Sequence, residues 1–241
     1  MKILLGIQPT GRLHIWNYFW AIRKGLEMQK ENEVNFLVAQ YHANFPTLVD
    51  RNNFVIELEK LWVPQFRIKK QCPDTLELFY KLAHSTSVAE LARLPQYQTK
   101  EQSLHMLSYP LLMAADIIIS DADGVIVWED QEPHMHFYRE IARRHWYREA
   151  ITIKSETPRI MSIKDPSKKM SKSLWDEHCI YLDDSEEAIS EKIMKAPTTP
   201  EGIATLQAIA WLYWISFDAS RCMLGKEQLI NKIVNFDYRD V

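Results

Sequence analysis

The stretch KILLGIQPTGRLHIWN, residues 2–17, decides the fold of this chain. It starts with a short apolar run, which is typical of a buried strand, and the residues QPTG (8–11) end that run with a tight loop. A helical pattern begins at Leu13. A strand, a glycine turn and a helix start leave backbone N–H groups directed at whatever lies above the sheet edge, and such a site favours phosphate.

Two polar side chains in this stretch support a phosphate site. His14 and Asn17 are one helical turn apart, so both face the same way and add hydrogen-bond donors. The alternative for His14 is a capping or surface role. Trp16 and Trp20 stand at the same helix start, where bulky rings leave less room for the backbone to approach a phosphate.

Strand and helix patterns alternate outward from this stretch. Residues 34–39 predict another buried strand, and the periodic residues 52–61 predict a helix. Strand signals fade between about residues 74 and 120, where helical stretches follow one another. Residues 123–131 then predict a strand that ends in a polar loop, and residues 132–144 predict the helix after it. This alternation is typical of an α/β protein with a Rossmann-type parallel sheet.

The pattern changes towards the C-terminal end. Residues 164–177 lack apolar periodicity and are rich in Lys and Ser, which predicts a mobile surface loop with positive charge. From residue 185 onward the patterns are helical. We therefore predict a Rossmann-type domain at 1–184 with a helical insertion at about 74–120, followed by a partial helical domain at 185–241.

Composition limits the possible classes of protein. The 241 residues are 46% hydrophobic and 25% charged, as expected for an ordinary globular chain. The net charge of -3 means that a nucleic-acid partner would be bound by local clusters of Lys and Arg. Cys72, Cys179 and Cys222 are far apart, which favours a reducing cytoplasm. The longest apolar run is shorter than a bilayer span, so we expect no membrane partner.

The residues KKMSKS, 168–173, indicate a second phosphate site. The ammonium groups of Lys169 and Lys172, with the neighbouring serine hydroxyls, suit a triphosphate whose charge grows on the leaving pyrophosphate. A lysine-rich loop by itself is usually only a solvated surface. Its pairing with the loop at 8–11 favours a nucleotide site.

Asp116 lies inside the apolar run LLMAADIII, residues 111–119. An acid in such a run needs a partner. Indole offers one N–H donor and a large apolar body, so a pocket for indole requires one acceptor and apolar walls. Asp116, with Met113 one turn away, supplies both. The alternative is an acid near a helix end that is satisfied by the backbone.

Two further groups of residues have simpler interpretations. His134 and His136 could suggest a metal site, but residues two apart on a helix point to different faces, so no metal ligand is predicted. Arg143 and Arg144 could contact tRNA, but solvated charges that favour the helix dipole are the preferred interpretation.

Five motifs in order resemble the class I aminoacyl-tRNA synthetases. The segments GIQPTGRLHIWN (6–17) and KMSKS (169–173) resemble the HIGH and KMSKS signatures of that class. Together with YPLLMAADI (109–117), WEDQ (128–131) and RIMSIKDPSKKMSKS (159–173), they resemble the bacterial tryptophanyl-tRNA synthetase family over about residues 3–195. The tyrosyl-tRNA synthetase family, which shares the fold but not this combination of motifs, is the alternative.

The resemblance implies a ligase that uses ATP and Mg²⁺. The carboxylate of L-tryptophan attacks the α-phosphorus in line to give tryptophanyl-adenylate, and the acyl group then passes to tRNA(Trp). No enzyme nucleophile is needed, because positioning and charge carry the reaction. The family also implies a homodimer in the cytoplasm. Its anticodon-reading helical domain continues beyond the equivalent of Val241, so tRNA selection is expected to depend on more residues than adenylate formation does.

The resemblance also implies the residues of the site. For tryptophan, Asp116 binds the indole N–H, Met113 and Val127 line the ring, and Gln8, His42, Tyr109 and Gln131 orient the ammonium and carboxylate groups. The ATP site comprises Gln8, Pro9, Thr10, Trp16, Asn17, Trp128, Glu129, Asp130, Ile160, Lys169, Met170, Ser171, Lys172 and Ser173. The catalytic residues, which face the phosphates, are His14, Asn17, Lys169 and Lys172.

The chain has Trp where the family has Gly at positions 16, 20 and 128, and commonly at 175. In one hypothesis the rings are real and block the nucleotide, which leaves an inactive synthetase-like binding protein. In the other, a UGA codon that the cell assigns to glycine has been translated as tryptophan. The six glycines and eight tryptophans together make up about 5.8% of the 241 residues, near the usual glycine content of about 7%.

Overall fold

The computed structural model describes residues 1–10, 12–43, 67–99, 102–171, 174 and 176–238. The chain divides into two compact units, the first formed by Met1–Thr10 and Lys24–Ser155 and the second by Gly11–Arg23 and Glu156–Val241. The predicted boundary at residue 184 lies inside the second unit. A separate helical domain at 185–241 therefore stays a prediction.

The described strands lie in the first unit and form one parallel sheet. They are β1 (Lys2–Ile7), β2 (Glu33–Val38), β3 (Arg67–Lys70), β4 (Gly124–Val127) and β5 (Ile151–Lys154), in the order β3-β2-β1-β4-β5. The predicted α/β parallel sheet is confirmed, with β1, β2 and β4 where the apolar runs indicated. The edge strands β3 and β5 were not predicted, because short strands at a sheet edge carry charged side chains and lack an apolar run.

The described helices follow the helical patterns of the sequence closely. They are α1 (Ile15–Asn17), a π-helical turn (Tyr18–Ile22), α2 (Arg23–Gln29), α3 (Pro73–Ala83), α4 (Val88–Ala92), α5 (Pro95–Thr99), α6 (Leu104–Ile119), α7 (Glu132–Arg144), α8 (Glu186–Lys195), α9 (Pro200–Leu212) and α10 (Cys222–Val234). The helix predicted at 52–61 lies outside the described residues. None of the described helices is long and apolar enough to cross a membrane.

The core of the first unit is formed where α6 packs against α3 and α7. Leu82 of α3, Leu111 and Ile117 of α6 and Ile141 of α7 are almost completely buried there. Each large apolar side chain buried in this way stabilises the fold by roughly 1.5–3 kcal/mol. The packing gives α6, which carries Asp116, a fixed position.

Short polar segments follow the strands on both sides of the reversal in strand order. β1 is central, and the chain order reverses between β1 and β4. Residues 8–10 follow β1, and residues 128–131 follow β4. Because the carboxyl ends of parallel strands meet at one edge, these segments lie at the switch point of the sheet, where α/β proteins bind ligands.

In the second unit, the residues before α1 pair with residues 180–182. Ile15 N donates to Ile180 O at 3.0 Å, and Leu182 N donates to Leu13 O at 2.8 Å. An aromatic cluster lies in the same unit and comprises Tyr18, Phe19, Tyr213, Phe236 and Tyr238. This part of the chain is therefore held by backbone pairing as well as by ring packing.

The prediction of a surface loop throughout 164–177 is wrong at residues 168–170. Ser162 N donates to Lys168 O at 2.8 Å, and Met170 N donates to Ile160 O at 3.0 Å, in a short antiparallel pairing. Met170 is completely buried. Its apolar side chain anchors the segment, an effect that is hidden in the sequence by the surrounding lysines and serines.

Candidate active site

All seven residues assigned to tryptophan line one cavity of the first unit. They are Gln8, His42, Tyr109, Met113, Asp116, Val127 and Gln131. Tyr109, Met113 and Asp116 share a face of α6 because they are four and three residues apart. The other walls are mainly apolar and include Leu4, Leu37 and Ile117. An apolar cavity with a few convergent polar groups is typical of a small-molecule site.

Asp116 is the buried acid of this cavity, with 5% of its surface exposed. Its carboxylate accepts hydrogen bonds from Gln71 Nε2 at 2.8 and 2.7 Å and pairs with His42 Nε2 at 2.9 Å. The partners are side chains, so the alternative of an acid satisfied by the backbone at a helix end is wrong. A carboxylate has about four acceptor positions, and these contacts leave capacity for a further donor from the cavity.

Gln71 is a residue of the candidate site that the sequence did not reveal. It is buried directly after β3, and its Oε1 accepts a hydrogen bond from Tyr41 N at 2.5 Å. This bond fixes the amide so that Nε2 points to Asp116. One signal was present in the sequence, because a buried acid such as Asp116 requires hydrogen-bond donors. It did not identify Gln71 as a donor, because β3 lacks an apolar run and was not predicted.

A larger pocket of about 570 Å³ adjoins the cavity and shares Gln8, His42, Tyr109 and Gln131 with it. Gln8 Nε2 donates to the Tyr109 hydroxyl at 3.3 Å, and the His42 ring meets the Tyr109 ring edge-on at 4.3 Å. Burial raises the pKa of Tyr109, so its hydroxyl stays protonated and can donate. These side chains form the polar rim between the two spaces.

Only some of the first-unit residues that were predicted to bind the nucleotide line this pocket. Gln8, Thr10 and Asp130 line it. Pro9, Trp128 and Glu129 are not among its lining residues. Trp128 precedes the 3-10 turn Glu129–Gln131, which follows β4.

His134 and His136 point to different faces of α7, as predicted. His134 is buried, with its ring 5.4 Å from that of Tyr109, whereas His136 is exposed and lies 4.0 Å from Glu140. Within the described parts of the chain, no three His, Cys, Asp or Glu side chains are grouped to hold a metal ion. Arg144 donates to Ser85 O at 2.7 Å and pairs with Glu90, so it is engaged within the first unit.

In the second unit, His14 caps the start of α1. Its Nδ1 accepts a hydrogen bond from Asn17 N at 3.2 Å, and Asn17 Oδ1 accepts one from His14 N at 3.2 Å. The alternative capping role is therefore confirmed, with His14 buried to 2% exposure. Because capping occupies the Nδ1 lone pair, a neutral His14 carries its proton on Nε2 and can donate from there.

Trp16 and Trp20 occupy the same helix start. Trp16 is buried, and its ring is nearly parallel to that of His14 at 6.4 Å. Trp20 lies in the π-helical turn Tyr18–Ile22. Turns of this kind occur often at functional sites. The Trp16 indole therefore lies beside His14, one of the residues predicted to face the phosphates.

The segment that carries the lysines is anchored by its apolar residues. Ile160 and Met170 are completely buried, so any contact with a nucleotide at these positions is made by the main chain. Lys169 pairs with Met161 across the short antiparallel bridge. Ser171 O accepts from the Cys179 thiol at 3.3 Å. Lys172, Ser173 and Trp175 lie outside the described residues.

Cys179 is the buried thiol of the second unit. Burial raises its pKa to about 11, so the group stays a thiol at neutral pH. It is therefore unsuited to act as a nucleophile. This agrees with a reaction that depends on positioning and charge.

Similarity to known proteins agrees with this geometry. The sequence profile of the tRNA synthetases class I (W and Y) matches residues 1–217. A tryptophan-tRNA ligase of Rickettsia conorii is 35% identical over 221 residues, which cover 81% of this chain and 67% of that protein.

Two solved structures share the fold. Tryptophanyl-tRNA synthetase from Mycoplasma pneumoniae has a TM-score of 0.82 at 24% identity, over 97% of this chain and 84% of its own. The Campylobacter jejuni enzyme, complexed with ADP and tryptophan, has a TM-score of 0.77 at 22% identity, over 100% and 88%. The resemblance in the motifs is confirmed over most of the chain. This chain belongs to the class I tRNA synthetases for tryptophan and tyrosine, and within them its relatives are the tryptophan-tRNA ligases.

Proposed function

We propose that this chain activates L-tryptophan with ATP and transfers it to tRNA(Trp). The observation that carries the proposal is the cavity of the first unit, where a buried, hydrogen-bonded carboxylate faces apolar walls. The 35% sequence identity with the Rickettsia conorii ligase supports tryptophan as the amino acid. Synthesis of tyrosyl-tRNA is the less favoured alternative, because the matched relatives are named for tryptophan.

Asp116 is proposed to accept the indole N–H. Gln71 and His42 bind the carboxylate and hold it in place, so it is ready for one further donor. Met113 and Val127 would contact the ring. The cavity measures about 60 Å³, which is smaller than an indole, so a side chain must move as the ring enters. Met113 suits this role because its unbranched chain is adaptable.

The polar rim is proposed to orient the reacting end of the amino acid. Tyr109, Gln8 and Gln131 would bind the ammonium group and leave the carboxylate free to attack ATP. Holding two reactants in the correct geometry contributes about 7–11 kcal/mol to catalysis in favourable cases. Positioning of this kind needs no covalent intermediate with the protein.

The residues of both units that were predicted to bind ATP remain part of the proposal. In the first unit they are Gln8, Pro9, Thr10, Trp128, Glu129 and Asp130. In the second they are His14, Trp16, Asn17, Ile160, Lys169, Met170, Ser171, Lys172 and Ser173. Donors and ammonium groups among them would stabilise the charge that develops on pyrophosphate. Mg²⁺ would enter with ATP, since it usually binds substrate phosphates and few protein ligands.

The partners and the location of the protein are also proposed. The chain would act on tRNA(Trp), as the named relatives do, and would work as a homodimer in the cytoplasm. Light scattering on the purified protein tests the dimer. Aminoacylation of tRNA(Trp), measured beside adenylate formation, tests the transfer step separately from the activation step.

Exchange of pyrophosphate into ATP tests the activation step directly. We expect exchange that depends on tryptophan and not on tyrosine. It should be measured on the chain with tryptophan at positions 16, 20, 128 and 175 and on a variant with glycine at all four. If exchange depends on tyrosine and not on tryptophan, the chain is assigned to the synthesis of tyrosyl-tRNA instead. If neither version exchanges pyrophosphate into ATP with any amino acid, the proposal is contradicted.

The variant Asp116→Asn tests the role of the acid. Loss of a hydrogen bond to a charged group costs about 1.5–3 kcal/mol, so the KM for tryptophan is expected to rise about 10- to 100-fold. Asp121→Asn is the matched control, because Asp121 is exposed and pairs with Lys2. An unchanged KM in Asp116→Asn, with the fold intact, would contradict this role.

A further inference from the structure

Three of the described helices are followed by a residue with a left-handed backbone, and two of these residues are tryptophans. Trp146 lies two residues after the end of α7 and has a φ of 60°. Trp214 lies two residues after the end of α9 and has a φ of 56°. The third is Asp121, two residues after the end of α6, with a φ of 46°. Aspartate visits this region more readily than tryptophan because its short polar side chain can hydrogen-bond locally.

The hydrogen bonds around the two tryptophans follow the same pattern. After α7, Tyr147 N donates to Ala142 O at 2.9 Å and Trp146 N to Arg143 O at 3.4 Å. After α9, Ile215 N donates to Ala210 O at 3.1 Å and Trp214 N to Trp211 O at 3.0 Å. This pair of bonds defines the Schellman motif, whose left-handed residue is usually glycine.

The backbone at these positions disfavours tryptophan. A Cβ atom crowds the backbone in the left-handed region, and a bulky residue there is an outlier. Trp146 is 94% exposed, so its ring gains almost no burial in return. Trp214 is 62% exposed, and its ring is partly covered by the guanidinium of Arg23 at 4.4 Å.

Among the residues that the structure describes, the glycines occupy other kinds of position. Gly6, Gly124, Gly202 and Gly225 all have φ values outside the left-handed region. Among the described residues, tryptophan occupies two of the three left-handed helix ends that are not glycine. The same chain contains six glycines and eight tryptophans in all.

We infer that residues 146 and 214 are glycines in the protein as its own cell makes it, because that cell reads the codon UGA as glycine. The same codon accounts for tryptophan at 16, 20 and 128. Glycine at these three positions would give the nucleotide access to the backbone at the start of α1 and after β4. This consequence for ATP rests on the proposed function, whereas the inference at 146 and 214 rests on the backbone alone.

The direct test is the mass of the protein purified from the cell that carries the gene. Peptides that span residues 146 and 214 are expected to contain glycine at both positions. For every UGA codon in the gene, the intact chain is expected to be lighter by the mass difference between a tryptophan residue and a glycine residue. Tryptophan at 146 or 214 overturns the inference. The measurement needs no activity, so it can fail while the proposed function stands.

A second test measures the backbone preference in the full chain. Trp146→Gly is compared with Trp146→Ala, since both remove the exposed ring and only alanine keeps the Cβ atom. The glycine variant is expected to have the higher Tm, by about 2–4 °C, and the same pair at position 214 should behave alike. Trp211 is the matched control, because it is exposed within α9, and there glycine is expected to give the lower Tm. Equal Tm values for glycine and alanine at both 146 and 214 overturn the inference.

Discussion

At the scale of single residues, the site depends on how Asp116 is held. Gln71 and His42 bind its carboxylate from two segments outside α6. Gln71 is itself oriented by Tyr41 N. Selection of the amino acid is therefore expected to depend on a residue that need not touch the ligand.

Gln71→Met tests this dependence. Methionine keeps the length of the side chain but removes the donor, so Asp116 is less firmly held. The KM for tryptophan is expected to rise several-fold, with a smaller change in kcat, in assays of pyrophosphate exchange. Loss of a donor to a buried carboxylate is also expected to lower the free energy of unfolding by about 1–3 kcal/mol.

The matched control is Gln228→Met, because Gln228 is exposed on α10. It should change neither KM nor stability. A Gln71→Met protein that is destabilised but keeps its KM would show that Gln71 has a structural role only.

The sequence was sufficient to predict the seven residues that line one cavity, but not Gln71. The seven belong to motifs that resemble a known family, and the structure places them around one space. Gln71 belongs to no such motif and follows a strand without an apolar run. Its role depends on which strand ends lie next to each other, and that information is not local in the sequence.

At the scale of secondary structure, α1 begins at a residue with two roles. His14 caps the helix through Nδ1, and the proposed function uses its other nitrogen. Stability and catalysis can be separated here, because asparagine is also a good N-cap residue.

We expect His14→Ala to lower both the stability and the rate of exchange, and His14→Asn to lower mainly the rate. Loss of a cap costs about 0.5–2 kcal/mol, and thermal unfolding measures that cost. Pyrophosphate exchange measures the loss of the phosphate donor. A His14→Asn protein with full kcat would limit His14 to capping.

The segment that pairs with the lysine region also contains a histidine whose titration affects stability. His178 Nδ1 lies 2.8 Å from Ser162 Oγ. Burial, with smaller contributions from Lys164 and Lys168, lowers the pKa of His178 below its usual value of 6.5, while Asp165 opposes the shift. The folded chain therefore binds this proton less readily than the unfolded chain does.

The contribution of His178 to stability is expected to be fully present above about pH 6.5 and to decrease as the pH falls through its lowered pKa. Urea unfolding between about pH 7 and 5 measures this. His178→Gln should give a flatter pH dependence over that range, whereas His136→Gln, which changes an exposed histidine, should keep the original slope. Identical slopes in all three proteins would contradict the prediction.

Secondary structure was predictable wherever apolar periodicity was strong. The helix predicted at 132–144 has the observed bounds of α7, and β1 has those of its apolar run. The short pairing at 168–170 escaped prediction because a single buried side chain, Met170, anchors it. A single apolar residue among charged neighbours produces no hydrophobic periodicity in the sequence.

At the scale of the whole molecule, the two units are not consecutive in sequence. The second unit takes residues 11–23 from the N-terminal part of the chain. A boundary drawn from a change in composition, as at 184, assumes that each unit is one continuous segment. Contacts that join distant segments decide the division instead.

Ligand binding should raise the stability of the protein in a specific way. Tryptophan at about 100 times its Kd is expected to add about 2.7 kcal/mol, or a rise in Tm of about 5–10 °C. Tyrosine at the same concentration should give little shift, and Asp116→Asn should abolish the effect of tryptophan. Equal shifts with both amino acids would contradict a pocket selective for indole.

The left-handed helix ends at Trp146 and Trp214 have a practical consequence for anyone who produces this protein in a laboratory strain. Ribosomes that obey the standard code stop at UGA, and the first tryptophan is residue 16, so such a strain would release only a short peptide. A strain that inserts tryptophan instead would make a chain whose backbone is strained after α7 and after α9, because a bulky residue crowds the left-handed region. A synthetic gene with ordinary glycine codons avoids both outcomes.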